Sequence, residues 1–347
     1  MEKFNYSNLL KKIYHSSIFW PLVCLIGILL FNLIMRPGFL GLEVKDGHLF
    51  GSLVDILNRA TPLILLSLGM TIVIATQGID ISVGSIIAIS GAVAATIIVY
   101  TGNTFLAIVV GIAAGLICGM WNGMLVSYIG VQPMVGTLIL YIVGRGIAQL
   151  ITKGQILTFT NKSFTFIGTG YLFLPVSVYI TIAVILIIYL LMRRTALGVF
   201  VEAVGINSTS SRYSGINSKK VKFILYVITG ALAGLAGIII CSNIKSADAN
   251  NAGLWMELDA ILATVIGGTS MNGGRFYLGG TVVGALFIQT LTTTIYSMGV
   301  PPETTLVVKA IVVIVVCLIQ NEEFRKLILK FTGSKERRLK AYENESC

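Results

Sequence analysis

Ten apolar segments of about bilayer-crossing length follow one another along this chain, near 18–35, 55–77, 82–100, 104–128, 133–152, 174–192, 222–243, 257–269, 278–298 and 304–320. A helix needs about 20 such residues to cross the hydrocarbon core, so 257–269 is short and reads as tilted, broken or half-buried. With 55% hydrophobic and only 12% charged residues, the chain has too little polar surface for a soluble domain of 347 residues. The expected fold is all-α, a polytopic transmembrane bundle of about ten spans, with broken helices near 76–82 and 266–277. The expected division is an N-terminal tail at 1–17, a transmembrane domain at 18–320 and a basic tail at 321–347. The first segment is long and lacks a small-residue cleavage site, so it is expected to be retained as a helix.

The longest polar interruption is 193–222, with six Lys/Arg against Glu202 alone. Short basic loops stay on the cytoplasmic side. With an even span count and the N-terminus inside, 17 of the 25 Lys/Arg lie inside, five outside and three (Arg59, Arg145, Lys309) within spans. The expected location is therefore a bacterial plasma (inner) membrane, multi-pass, with both termini and the 193–222 loop cytoplasmic. That distribution also accounts for the net charge of +10 without nucleic acid. Five cysteines at no metal-ligand spacing read as small hydrophobes, and no metal site is expected.

Gly111, Gly115, Gly119 and Gly123 recur every fourth residue and lay a flat strip along one helix face, as do Gly230 with Gly234 and Gly280 with Gly284. They point to a tightly packed bundle and say nothing of substrate. A G-x-x-x-x-G-K-[ST] segment is missing, so energy for active transport has to come from a partner chain or an ion gradient. Carboxylates and histidines deep in the spans, which gradient coupling uses, are scarce. Secondary transport is disfavoured on that ground, and a membrane-embedded enzyme by the lack of a nucleophile, base and metal constellation.

The polar residues least easily assigned to lipid-facing helix are the candidate substrate pathway: Asn58, Gln77, Asp80, Arg145, Gln149 and Asp259. Asp80 or Ser82 could instead cap the following helix. Arg145 and Gln149, four apart, share a face, and the arginine needs either a wet passage or an ion partner. Asn58 and Arg59 sit at an outer mouth or, for Arg59, merely snorkel. In this topology 246–259 lies outside, and Asp248, Asn250, Asn251 and Trp255 offer amides, a carboxylate and an indole suited to a gate or a docking surface; a plain capped loop fits nearly as well. The candidate docking residues on the cytoplasmic surface of 193–222 are Glu202, Gly205, Asn207, Arg212 and Gly215.

The segments LGMTIVIATQGIDISVGSIIAISGAVAA (68–95), GTLILYIVGRGIAQLITKGQ (136–155), EAVGIN (202–207) with SGIN (214–217), and ELDAILATVIGGTSMNGGRFYLGGTVVGA (257–285) resemble, in order and spacing, the permease subunits of ribose-type ABC sugar importers. The resemblance covers roughly residues 50–320. Within that family, 46–62 and 246–261 are similar to galactofuranose importer permeases. The resemblance implies a type II importer-like fold, a cytoplasmic ABC ATPase carrying ATP and Mg, a periplasmic or lipid-anchored sugar-binding protein, and a second permease chain, identical or paralogous. This chain would then hold no cofactor or catalytic residue, with membrane lipid as its other neighbour. STSSRYSG (208–215) is more hydroxyl-rich than the family pattern, which leaves open which residues touch the ATPase. The function expected is the permease of an ATP-driven monosaccharide importer, for galactofuranose; the alternatives are ribose or another pentose or hexose, and a gradient-driven sugar transporter.

Overall fold

A computed structural model describes residues 18–320 apart from 37 and 46. The expected tails at 1–17 and 321–347 therefore lie outside the described residues. The chain divides into two compact units with the boundary after Thr290.

The first unit opens with α1 (Phe19–Met35) and a hairpin of β1 (Glu43–Lys45) and β2 (His48–Phe50), followed by α2 (Ser52–Ile74) and α3 (Val83–Thr101). Next come α4 (Thr104–Met124), its π-helical continuation (Leu125–Ile129), α5 (Pro133–Thr152), β3 (Leu157–Thr158), α6 (Lys162–Thr169) and α7 (Val176–Arg194). After these stand α8 (Ala196–Ile206), α9 (Ser208–Tyr213), α10 (Ser218–Ile244), β4 (Ser246–Ala247), α11 (Met256–Ile266) and α12 (Leu278–Ser297), whose last residues belong to the second unit. The second unit continues with α13 (Pro302–Gln320), which starts on hydrogen bonds from the Thr304 and Thr305 amides to the Pro301 carbonyl.

Seven of the ten apolar segments are helices long and apolar enough to cross a membrane. The other three are α1, the 11-residue α11 and α13, so the count of ten is approximate. Both breaks are present, since α2 ends at Ile74 before α3 begins at Val83, and α11 ends at Ile266 before α12 begins at Leu278. The reading of 193–222 as one polar loop is corrected: α7 runs to Arg194, and α8 and α9 occupy most of the stretch between α7 and α10. The apolar run of 196–206 buries one side of α8, and Thr195, Asn207 and Asn217 accept backbone N–H groups at the starts of α8, α9 and α10.

Helix α10 is the hub, packed on α2, α3, α4 and α6. Its approach to α4 depends on glycine: a Cβ at Gly115 would lie 2.5 Å from the Gly230 carbonyl oxygen, and one at Gly119 would lie 2.5 Å from that of Tyr226. Backbone thus rests on backbone along the glycine strip. Ser90 Oγ, 2.8 Å from the carbonyls of both Gly111 and Gly234, ties α3 into the same contact. Gly119→Leu is expected to force α4 and α10 apart at a cost of about 3 kcal/mol, the upper part of the usual overpacking range. A wild-type melting temperature for that variant in detergent would refute this packing.

Inside α2, Pro62 cannot donate to Asn58, and Thr61 Oγ1 donates to that carbonyl instead, at 2.8 Å. Thr71 of the same helix meets Thr281 of α12 at 2.7 Å and Thr264 of α11 at 3.3 Å, joining the two broken pairs α2/α3 and α11/α12 through buried hydroxyls. Outward-facing Ile, Leu, Val and Phe on α4, α5 and α7 suit a lipid surround.

Candidate functional site

The two breaks and the end of α8 meet at one junction. Gln77, in a left-handed backbone conformation at φ 63°, donates through Nε2 to the Gly205 carbonyl at 2.9 Å and to the Asn272 carbonyl at 3.0 Å. The Gly274 amide donates to the Ala75 carbonyl at 2.9 Å. Gly205 is buried between them: a Cβ there would lie 1.9 Å from the Ala75 oxygen and 2.6 Å from the Gly274 nitrogen. Of the candidate docking residues in 193–222, Gly205 is therefore an internal joint. Glu202 is half-buried on α8, Asn207 caps α9, and Arg212 and Gly215 are exposed. Gly215 takes φ +86° in the turn to α10.

Asp80 is fully buried just beyond the first break. Its Oδ1 accepts from the Ser82 amide at 3.0 Å, from Ser82 Oγ at 2.6 Å and from Asn122 Nδ2 at 3.3 Å. This is a turn that leads into α3 and is pinned from α4 by Asn122. The Asp80 side chain is shut off from solvent. Asp80 Oδ2, Asn122 Oδ1 and the Tyr226 hydroxyl are buried with no hydrogen-bond partner among the described residues. Asn122 escapes a sequence reading because it stands as one amide within the glycine strip.

The second cluster joins α5 to the stretch after β4. Arg145 Nη1 donates to the carbonyls of Ala249 at 3.3 Å, Asn250 at 3.0 Å and Ala252 at 2.7 Å, and Gln149 Nε2 donates to Asn250 Oδ1 at 2.5 Å. Nη1 is thus held by carbonyl dipoles rather than by the ion partner considered from sequence, whereas Nη2 has no hydrogen-bond partner among the described residues. Asp248 organises the turn by accepting from the Asn250 amide at 2.9 Å, from the Asn251 amide at 3.2 Å and from Asn251 Nδ2 at 2.7 Å. Partial burial pushes the Asp248 carboxyl up, but the bonds from Asn251 and the two amides prevail and hold it below its usual value.

This stretch descends into the bundle. Ala247 shares a core cluster with Ala94 and Ala95, whereas Gly253 packs on Gly84 and Ile87, about 13 Å further along α3 at 1.5 Å per residue. Glu257 Oε2 occupies the space where a Cβ on Gly84 would stand, 2.3 Å away. The placement of 246–259 as a wholly outer loop is corrected accordingly. Trp255, 45% exposed at φ 65°, stands at the start of α11, and Asp259 is half-buried one turn on.

Arg145, Gln149, Asp248, Asn250 and Asn251 are therefore brought together, as are Gln77 and Gly205. Asp80 is apart from both clusters, and Asn58 is apart too, its Oδ1 accepting from Ser177 Oγ and so fastening α2 to α7. Among the described residues no group of His, Cys, Asp and Glu could hold a metal ion.

Comparison with known proteins matches residues 52–317 to the family described as branched-chain amino acid transport system / permease component. The chain is 49% identical over 315 residues to the galactofuranose transporter permease protein YtfT of Escherichia coli (strain K12), covering 89% of this chain and 92% of that one. It is 38% identical to the fructose import permease protein FruF of Bifidobacterium longum, over 92% of both chains. It is 37% identical to the ribose import permease protein RbsC of Escherichia coli (strain K12), over 78% of this chain and 86% of the relative. With a family model matched along most of its length, and the broken pair α2/α3 packed on a glycine-lined hub, the chain belongs to the branched-chain amino acid transport system / permease component family.

Proposed function

We propose that this chain is the transmembrane permease subunit of an ATP-driven ABC importer for a monosaccharide, galactofuranose. The carrying observation is its 49% identity, along nearly the whole of both chains, to a galactofuranose permease. The amide and guanidinium cluster of Arg145, Gln149 and Asn250 supplies the kinds of hydrogen-bonding group a sugar hydroxyl uses, and an exposed indole, Trp255, follows Ala252 of the same stretch by three residues. The ATP-hydrolysing chain binds the α8–α9 segment on the cytoplasmic side, and a periplasmic or lipid-anchored binding protein delivers sugar to the opposite face. A second permease chain, identical or paralogous, completes the passage.

In this reading a displacement of α8 acts on both breaks at once, because Gly205 and Gln77 join α8, 75–77 and 272–274 by hydrogen bonds and close packing. Each nucleotide state of the ATPase has to stabilise one arrangement of that joint over another to drive alternating access. Cells supplying the cognate ATPase and binding protein are expected to accumulate labelled galactofuranose in preference to galactopyranose and ribose. Uptake of ribose alone would move the chain to the pentose reading. Uptake that survives inactivation of the ATPase yet collapses with the proton gradient would overturn ATP coupling.

A further inference from the structure

At the end of the bundle that carries α8 and α9, a cavity of about 550 Å³ lies between the π-helical end of α4, helix α9 and the first turns of α10. Arg212, Lys219 and Lys222 line it together with Ser127, Ser208 and Thr209. No carboxylate is in the lining, and none of the three cations has an ion partner among the described residues. Three like charges gathered around one space repel one another unless an anion enters it. Ser127 adds an independent sign: its Oγ is buried, with the residue only 6% exposed, and has no hydrogen-bond partner among the described residues although it borders the cavity. Such a hydroxyl is costly to leave unpaired.

The position of the cavity narrows the identity of the anion. Leu125–Ile129 is the last turn of one spanning helix and Ser218–Lys222 the first turn of another, so the cavity stands where the hydrocarbon gives way to headgroups. Tyr128 and Ile129 beside it are exposed, and Val126 forms part of its wall, which continues the basic lining into an apolar surface. Basic pockets between spanning helices recognise anionic headgroups through the phosphate.

We propose that this cavity binds the phosphate of an anionic phospholipid headgroup, with Arg212, Lys219 and Lys222 neutralising it and Ser127 Oγ donating to it. Arg212 then serves the lipid rather than the ATPase.

The test is native mass spectrometry of the full-length permease, released from nanodiscs containing phosphatidylglycerol and phosphatidylcholine, with the melting temperature followed in parallel. Wild type is expected to retain phosphatidylglycerol and to melt higher with it than with phosphatidylcholine. The triple variant Arg212→Gln, Lys219→Gln, Lys222→Gln is expected to retain it about a hundredfold more weakly, at about fivefold per charge. Ser127→Ala, which keeps every charge, should weaken retention about fivefold, whereas Lys153→Gln with Lys162→Gln, which removes charge elsewhere, should not. Millimolar inorganic phosphate is the second arm: stabilisation of wild type by free phosphate, with no preference for phosphatidylglycerol, would make the source a soluble phosphate and overturn the lipid assignment. Equal retention of phosphatidylglycerol by wild type and the triple variant would overturn the site altogether. So would a triple variant that holds lipid normally but loses its ATPase, since the cations would then face an acidic partner surface.

Discussion

Gly205→Val is expected to melt at least several degrees below wild type in detergent and to lose ATPase stimulation and sugar uptake together. The Cβ alone would stand 1.9 Å from the Ala75 carbonyl oxygen and 2.6 Å from the Gly274 nitrogen. Both obstacles are backbone, so no side chain can swing aside, and the three segments at the junction have to separate. Overpacking on this scale costs about 3 kcal/mol or more. The nearby Asn207→Ala variant gives the contrast. It removes only an exposed cap over the Thr209 and Ser210 amides and is expected to cost about 1 kcal/mol. If Gly205→Val instead melts like wild type while stimulation alone is lost, the glycine faces the ATPase directly and is not an internal joint.

That contrast also marks where the sequence is legible. Run length and hydropathy locate the spans because a bilayer crossing demands about 20 apolar residues whatever the tertiary partners are. The breaks near 76–82 and 266–277 are readable because Gln77-Gly78-Ile79-Asp80 and Gly267-Gly268 interrupt apolar runs with residues that favour turns. Helices α8 and α9 are hidden because six cations make 193–222 look like one solvated loop, although Ala196-Leu197-Gly198-Val199-Phe200-Val201 within it is apolar enough to bury. A surface glycine and a joint glycine read alike in sequence, and only the approach of Ala75 and Gly274 separates them. Asn122 and Ser127 are missed for a related reason: each is a single small polar residue in an apolar helix, and its role depends on what stands opposite.

The pairing of Arg145 with carbonyls more than 100 residues away is equally out of reach of a sequence reading, and it yields the second large effect. Arg145→Met is expected to cost about 2 kcal/mol, from leaving the part-buried carbonyls of Ala249 and Ala252 without a donor at roughly 1–3 kcal/mol each, offset by the apolar fit of methionine. Freed from α5, the 248–257 stretch should exchange its backbone amides faster, and uptake should fall by about two orders of magnitude or more. All three bonds converge on the single nitrogen Nη1, so an ammonium with three donors can reproduce them, and Arg145→Lys should restore most of the stability and the amide protection. An arginine acting through the planar fork of its guanidinium on a ligand would behave differently, because lysine would then keep the fold and lose transport. Nη2, buried and without a hydrogen-bond partner among the described residues, is the atom such a role would use. The measurement is hydrogen exchange of 248–257 alongside uptake in the three proteins. Recovery of both by lysine supports carbonyl anchoring, and unchanged exchange in Arg145→Met would refute it.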